Sequence, residues 1–131
     1  MKIRYWNVRG IANSPTRLAL KRILLKHKPD LVLLSEPWMT YDVFPTTWLS
    51  RLGLKVFSFN HRPNLPPNLW CICSMDLNPS IINFDNQQVS FHIEVNQQLF
   101  SILAIYASTN YITRRQLWQT VSHLQSQHNT P

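Results

Sequence analysis

Three polar side chains stand where hydrophobic runs give out: Asn7, Glu36 and Tyr106. In α/β proteins, strand ends that feed loops are where sites gather. On spacing alone Glu36 reads either as a surface acid after a strand or as a ligand for Mg2+. That ion is often held by one or two carboxylates together with waters and substrate phosphates. Tyr106 reads as a half-buried aromatic with its hydroxyl in water, and Asn7 could equally be satisfying a turn at a strand exit. Cys71 and Cys73 fall on one face of a strand, without the second ligand pair or the spacing that zinc requires. Same-face neighbours are also poorly placed to form a disulfide, so they read as buried thiols in a reducing compartment. With only Gly10 and Gly53 in the chain, a glycine-rich phosphate loop is excluded. No Ser-His-Asp order and no paired carboxylate set stands out.

The elements that must carry these residues follow from periodicity. Residues 2–7 alternate polar and apolar into Gly10, a strand running into a loop. Ser14 is the expected N-cap of a helix with Pro15 at its first position. Leu20, Ile23, Leu24 and His27 form its apolar stripe, and Pro29 ends it. Leu31–Leu34 is a continuous apolar run, as in a strand covered on both faces. Then come a short helix over Thr46–Leu52 closed by Gly53, a strand at Lys55–Asn60 and a proline-rich loop at His61–Asn68. Strands follow at Leu69–Met75, Ser80–Phe84, Gln88–Val95 and Leu99–Tyr106, with a turn at Asn96-Gln97 between the last two. A final helix over Ile112–Gln125 aligns Leu117, Val121 and Leu124, and a further strand is expected after Pro131. The 131 residues make one α/β unit, a small domain or half of a larger one.

Composition narrows the partners. The chain is 44% hydrophobic and 15% charged, which argues against a disordered polymer. Its net charge is +7, and eight of the thirteen basic residues precede the first acid, Asp30. A block so one-sided either neutralises several phosphates of a nucleic acid or is a solvated helix face. No apolar run reaches the ~18 residues of a membrane helix, and no signal peptide opens the chain. A soluble intracellular protein is expected, without a membrane partner.

Trp6-Asn7-Val8-Arg9-Gly10, the basic helix, and Lys28-Pro29-Asp30-Leu31-Val32-Leu33-Leu34-Ser35-Glu36 together resemble the start of the endonuclease/exonuclease/phosphatase (DNase-like) superfamily. More closely, they are similar to the endonuclease domain of plant LINE-type non-LTR retrotransposons. Ala104-Ile105-Tyr106-Ala107-Ser108 resembles that family's later Tyr strand, and Arg114-Arg115-Gln116-Leu117-Trp118 the helix after it. The resemblance implies a partial four-layer α/β sandwich, residues 1–131 being the first lobe, with a mixed sheet, flanking helices and one apolar sheet face awaiting a partner. It assigns Glu36 to a catalytic Mg2+, Asn7 to positioning the metal or the scissile phosphate, and Tyr106 to hydrogen-bonding that phosphate. Arg9, Arg17, Lys21, Arg22 and Lys26 are candidates for flanking phosphates on charge, a role the family match does not give them.

The resemblance further implies a DNA substrate, a nuclear location, and a C-terminal half and reverse transcriptase in full-length relatives. The family's Asp-x-Asn and Asp-His groups would lie beyond Pro131, so these residues alone are expected to hydrolyse little or nothing. The alternative is a non-enzymatic, basic nucleic-acid-binding remnant. One further departure is Pro66-Pro67-Asn68-Leu69, which stands where the family has a glycine-rich stretch and leaves the hairpin there unspecified.

Overall fold

The computed structural model describes residues 1–40, 42, 44 and 46–127. The expected strand beyond Pro131, and the histidine at position 128, lie outside the described residues. Strand β1 (Ile3–Asn7) leads into helix α1 (Ser14–His27), which returns the chain to β2 (Leu31–Ser35), parallel to β1. The N-cap is Asn13 rather than Ser14: its Oδ1 accepts the Thr16 N–H at 3.4 Å, which moves Ser14 and Pro15 inside the first turn. Pro15 still loses nothing there, because the first four helical N–H groups have no partner within the helix. At the other end Lys28 turns left-handed (φ 44°) and its N–H caps the Leu24 carbonyl at 2.9 Å.

After α2 (Thr46–Ser50), strands β3 (Leu54–Phe59) and β4 (Leu69–Ser74) complete a four-stranded mixed sheet in the order β1-β2-β4-β3. The hairpin entered through Pro66-Pro67 therefore forms without the family's glycines. Strands β5 (Ser80–Phe84), β6 (Gln88–Val95) and β7 (Gln98–Ile105) make a separate antiparallel sheet. Asn96 and Gln97, both at positive φ (52° and 67°), form the tight turn of the β6–β7 hairpin, as a two-residue primed turn requires. Helix α3 (Tyr111–Gln127) follows.

Alternation along each strand builds two cores. Val32, Leu34, Trp70 and Ile72 pack under α1 and α2 with Leu20, Leu24 and Leu49. The opposite phase, Leu31, Leu33, Leu69, Cys71 and Cys73, meets Val89, Phe91, Ile93 and Ala104 of the second sheet. Leu117 of α3 is buried, while Val121 and Leu124 face Ile82, Ser90 and Leu103 across a cavity of about 220 Å³. The layers are helices, sheet, sheet, helix. The sheet faces thus largely cover each other, and the large apolar side chains still exposed on strands are Ile3 and Tyr5 of β1 together with Phe59, Ile81, Phe84 and Leu99. Ile3 and Tyr5 are 41% and 49% exposed, β1 being an edge strand of its sheet. The free edges of β1 and β7 lie on the same flank, bridged by the Tyr5 hydroxyl donating to the Ile105 carbonyl at 3.0 Å.

The buried thiols have a measurable consequence. Burial pushes Cys71 up from 9.0 to about 12 and Cys73 to about 11. The folded chain therefore holds these protons more tightly than the unfolded one, and the stability this confers is intact below pH 9.0 and lost as pH rises toward 11–12. The urea midpoint is expected to fall between about pH 8 and about pH 10.5. A Cys71→Ala/Cys73→Ala variant, whatever its starting stability, should fall less over that range. An equal fall in both would remove the thiols from the account.

Candidate active site

The parallel pairing of β1 with β2 ends in register, Asn7 opposite Ser35, and antiparallel β4 begins opposite the same residue with Leu69. Three chain segments therefore meet at one end of the sheet. Beyond the strands the pairing continues: Val8 N–H donates to Ser35 O (3.0 Å), Gly10 N–H to Glu36 O (2.8 Å) and Ile11 N–H to Pro37 O (3.0 Å). Glu36 N–H donates to Asn68 O at 2.9 Å, tying the β2 exit to the β4 entry. Holding two loops this close requires left-handed backbone at Arg9 (φ 49°), Glu36 (φ 55°) and Trp38 (φ 57°), none of them glycine. Such conformations persist only where the surroundings enforce them, and they cluster at functional sites.

The second sheet delivers Tyr106 to the same place. Its N–H donates to Gln87 O at 2.8 Å, and its hydroxyl hydrogen-bonds the Glu36 carboxylate. Partial burial, then the Glu36 charge and this hydrogen bond, raise the phenol above its usual range, with Tyr5 adding to the effect and Arg62 opposing it. At neutral pH the phenol is therefore a committed donor. Beside it lies a cavity of about 340 Å³ walled by Arg62, Asn68, Gln87, Tyr106, Ser108 and Thr109 among others.

Two amides missed in the sequence hold the walls of this cavity in place. Asn60, fully buried, accepts the N–H groups of Asn68 and Leu69 at 3.0 Å each. Its Nδ2 donates to Asn68 Oδ1 and, at 3.1 Å, to Asn86 O across the sheets. Gln87, 3% exposed, accepts Ser108 N–H and donates to Thr113 O, both at 2.8 Å, which fixes the Tyr106 loop to the start of α3. Nothing in the local sequence separates either from an ordinary loop amide, since their partners lie up to 26 residues away.

The other expected residues divide. Asn7 closes β1 at this end and is exposed; Arg9 is exposed on the adjoining loop. Arg17 begins α1 close to this end, but a helix of 14 residues runs back roughly 21 Å. Lys21 and Arg22 are exposed along it, and Lys26 stands at its far end. There Lys26 joins Lys2 and Arg4 around His27, whose pKa is lowered by burial and then by these cations. The basic block is thus not one surface around Glu36.

For Mg2+ the donor set is oxygen: one carboxylate, steadied by a phenol, with an amide at the next strand end. Hard oxygen donors of this kind suit that ion. Among the described residues no three acidic, histidine or cysteine side chains gather to hold a metal. The chain's own Asp-x-Asn string, Asp76-Leu77-Asn78, follows β4 at the opposite end of the sheet from Glu36.

No family model matches the chain, and no curated protein does. Solved structures do. The endonuclease domain of TRAS1, a telomere-specific non-LTR retrotransposon, superposes with TM-score 0.69 at 15% identity, over 98% of this chain and 55% of that one. An AP endonuclease from Archaeoglobus fulgidus gives 0.68 at 19% identity, over 98% and 52%. The 3′ phosphatase NExo from Neisseria, bound to product DNA hairpin, gives 0.66 at 17%, over 98% and 54%. The chain spans about half the length of each. It has, over that half, the layered α/β fold of the endonuclease/exonuclease/phosphatase family.

Proposed function

We propose that residues 1–131 form the metal-holding N-terminal portion of a Mg2+-dependent DNA-nicking endonuclease of the LINE retrotransposon type. The observation that carries this reading is the placement of the Tyr106 phenol beside the Glu36 carboxylate, which brings two strand ends 70 residues apart, from different sheets, to one mouth. Glu36 would hold the ion. A bound Mg2+ supplies charge neutralisation on phosphate oxygens. With a phosphate in place, the single Tyr106 phenol proton would turn from Glu36 to donate to it, and the Asn7 side-chain amide at the end of β1 would orient it from the adjoining edge. Fixed donors of this sort act where charge develops on the diester.

Activation of the attacking water needs a base, and among the described residues no further acidic or histidine group gathers with Glu36 to supply it. A general base typically contributes about 10²–10⁴-fold. The Asp-x-Asn and Asp-His groups of the C-terminal half, joined to a reverse transcriptase in full-length relatives and acting in the nucleus, complete this reading. These 131 residues alone should bind DNA without nicking it. Mg2+-dependent relaxation of supercoiled plasmid, lost in Glu36→Ala, would overturn that part.

The cluster of Lys2, Arg4, Lys26 and His27 away from Glu36 favours a second reading, a basic binding remnant. Duplex binding at constant ionic strength separates the two. A metal-holding site predicts that Mg2+ tightens binding; a remnant predicts no gain, with all affinity in the salt-dependent term. For the remnant, replacing Lys21, Arg22 and Lys26 by Gln should reduce the slope of log affinity against log salt by about 2.7, or about 0.9 per contact. An unchanged slope removes the helix from the interface.

A further inference from the structure

Tryptophan is among the most buried side chains on average, yet Trp38, two residues from Glu36, is 62% exposed. Its neighbours are anchored: Pro37 is buried and Met39 packs against the first core. The indole is also held from below. A Cβ on Gly10 would lie 3.0 Å from Trp38 Cε3 and 3.5 Å from Cζ3, so the ring rests on the glycine backbone. Gly10 itself is at φ +100° and is bonded through its N–H to Glu36 O at 2.8 Å. Trp38 at φ 57° sits in a region that bulky residues rarely enter. An enforced conformation here keeps a large aromatic out of the core and turned to solvent.

We propose that Trp38, seated on Gly10, is a stacking platform for an unpaired nucleobase next to the Glu36–Tyr106 mouth. Every base offers a π-face, so such a platform adds affinity without reading sequence. Arg9, exposed and adjacent to Gly10, supplies the cationic side that a phosphodiester strand requires. A polypeptide partner would have no use for proximity to the carboxylate. The inference rests on the nucleic-acid reading above and adds to it the class of group that is bound, an unstacked base rather than an intact duplex.

The test uses the whole chain with short single-stranded deoxyoligonucleotides in EDTA, following tryptophan fluorescence and the anisotropy of a labelled strand. Wild type should show quenching that is absent in Trp38→Phe, and Trp38→Ala should bind about 5- to 100-fold more weakly, with Phe between. Because the ring is exposed, these variants should keep the wild-type melting temperature. Gly10→Ala, which retains the indole but displaces it, should also lose the quenching. An oligonucleotide of equal length with abasic sites should bind wild type and Trp38→Ala alike. If Trp38→Ala binds normal strands as wild type does while salt-dependent binding persists, the platform is wrong and the nucleic-acid reading stands. The platform is equally wrong if the abasic strand is bound as tightly as the normal one. If wild type binds no strand at all, both fall.

Discussion

Exchanging Glu36 for Gln is expected to abolish saturable Mg2+ binding, a loss of at least about 100-fold in affinity by calorimetry. Mg2+ usually keeps several waters and relies on one or two carboxylates, and this mouth offers Glu36. Losing a mere supporting hydrogen bond typically costs about 10- to 100-fold at a metal site, which is the range expected for Tyr106→Phe. The charge-bearing ligand must cost more. Gln keeps the shape and an oxygen that accepts the Tyr106 hydroxyl, so the melting temperature should hardly move. A second readout belongs to the same variant. With the Glu36 charge gone, the Tyr106 phenol should titrate nearer its ordinary range, burial and Tyr5 still holding it up; phenolate absorbance reports this. Undiminished Mg2+ binding in Glu36→Gln would sink the assignment.

Asn60→Ala should destabilise the fold by about 3–5 kcal/mol, read as a lowered urea midpoint at unchanged slope. The substitution removes the partners of two backbone N–H groups, a carbonyl and a side-chain oxygen. Each buried group left unpaired costs about 1–3 kcal/mol, and part of Asn68 remains within reach of water. Against a total of about 5–15 kcal/mol this is a large share. Asn60 is also a pin between sheets, since its Nδ2 reaches Asn86 on the turn before β6. The wall of the 340 Å³ cavity beside Tyr106 should therefore loosen as well. A loss below about 1 kcal/mol would mean that water replaces the amide.

The strands and helices were legible because burial enforces periodicity. Leu31–Leu34 is apolar throughout since both cores claim it, and Cys71 and Cys73 alternate with Trp70 and Ile72 for the same reason. Asn7, Glu36 and Tyr106 announced themselves as polar ends of such runs. What local pattern cannot carry is who meets whom. The Glu36–Tyr106 contact depends on how two sheets stack, and Asn60 and Gln87 matter only through distant partners. Lys26 looked like its helical neighbours, yet helix length carries it to the other end of the molecule. Trp38 was invisible for a different reason: its role lies in a backbone angle that Gly10 makes room for.

The two free strand edges on one flank bear on how this chain behaves in concentrated solution. An uncovered edge invites pairing with another copy, and charged side chains are the usual deterrent. At β1 that deterrent is Arg4 on the strand and Lys2 just before it, both exposed. Two such edges drawing together set like charges against each other, a repulsion that reaches about 10 Å at 0.1 M salt and only about 3 Å at 1 M. High salt, commonly added to keep basic proteins in solution, would here remove the guard against self-association, so that this chain keeps best in dilute buffer.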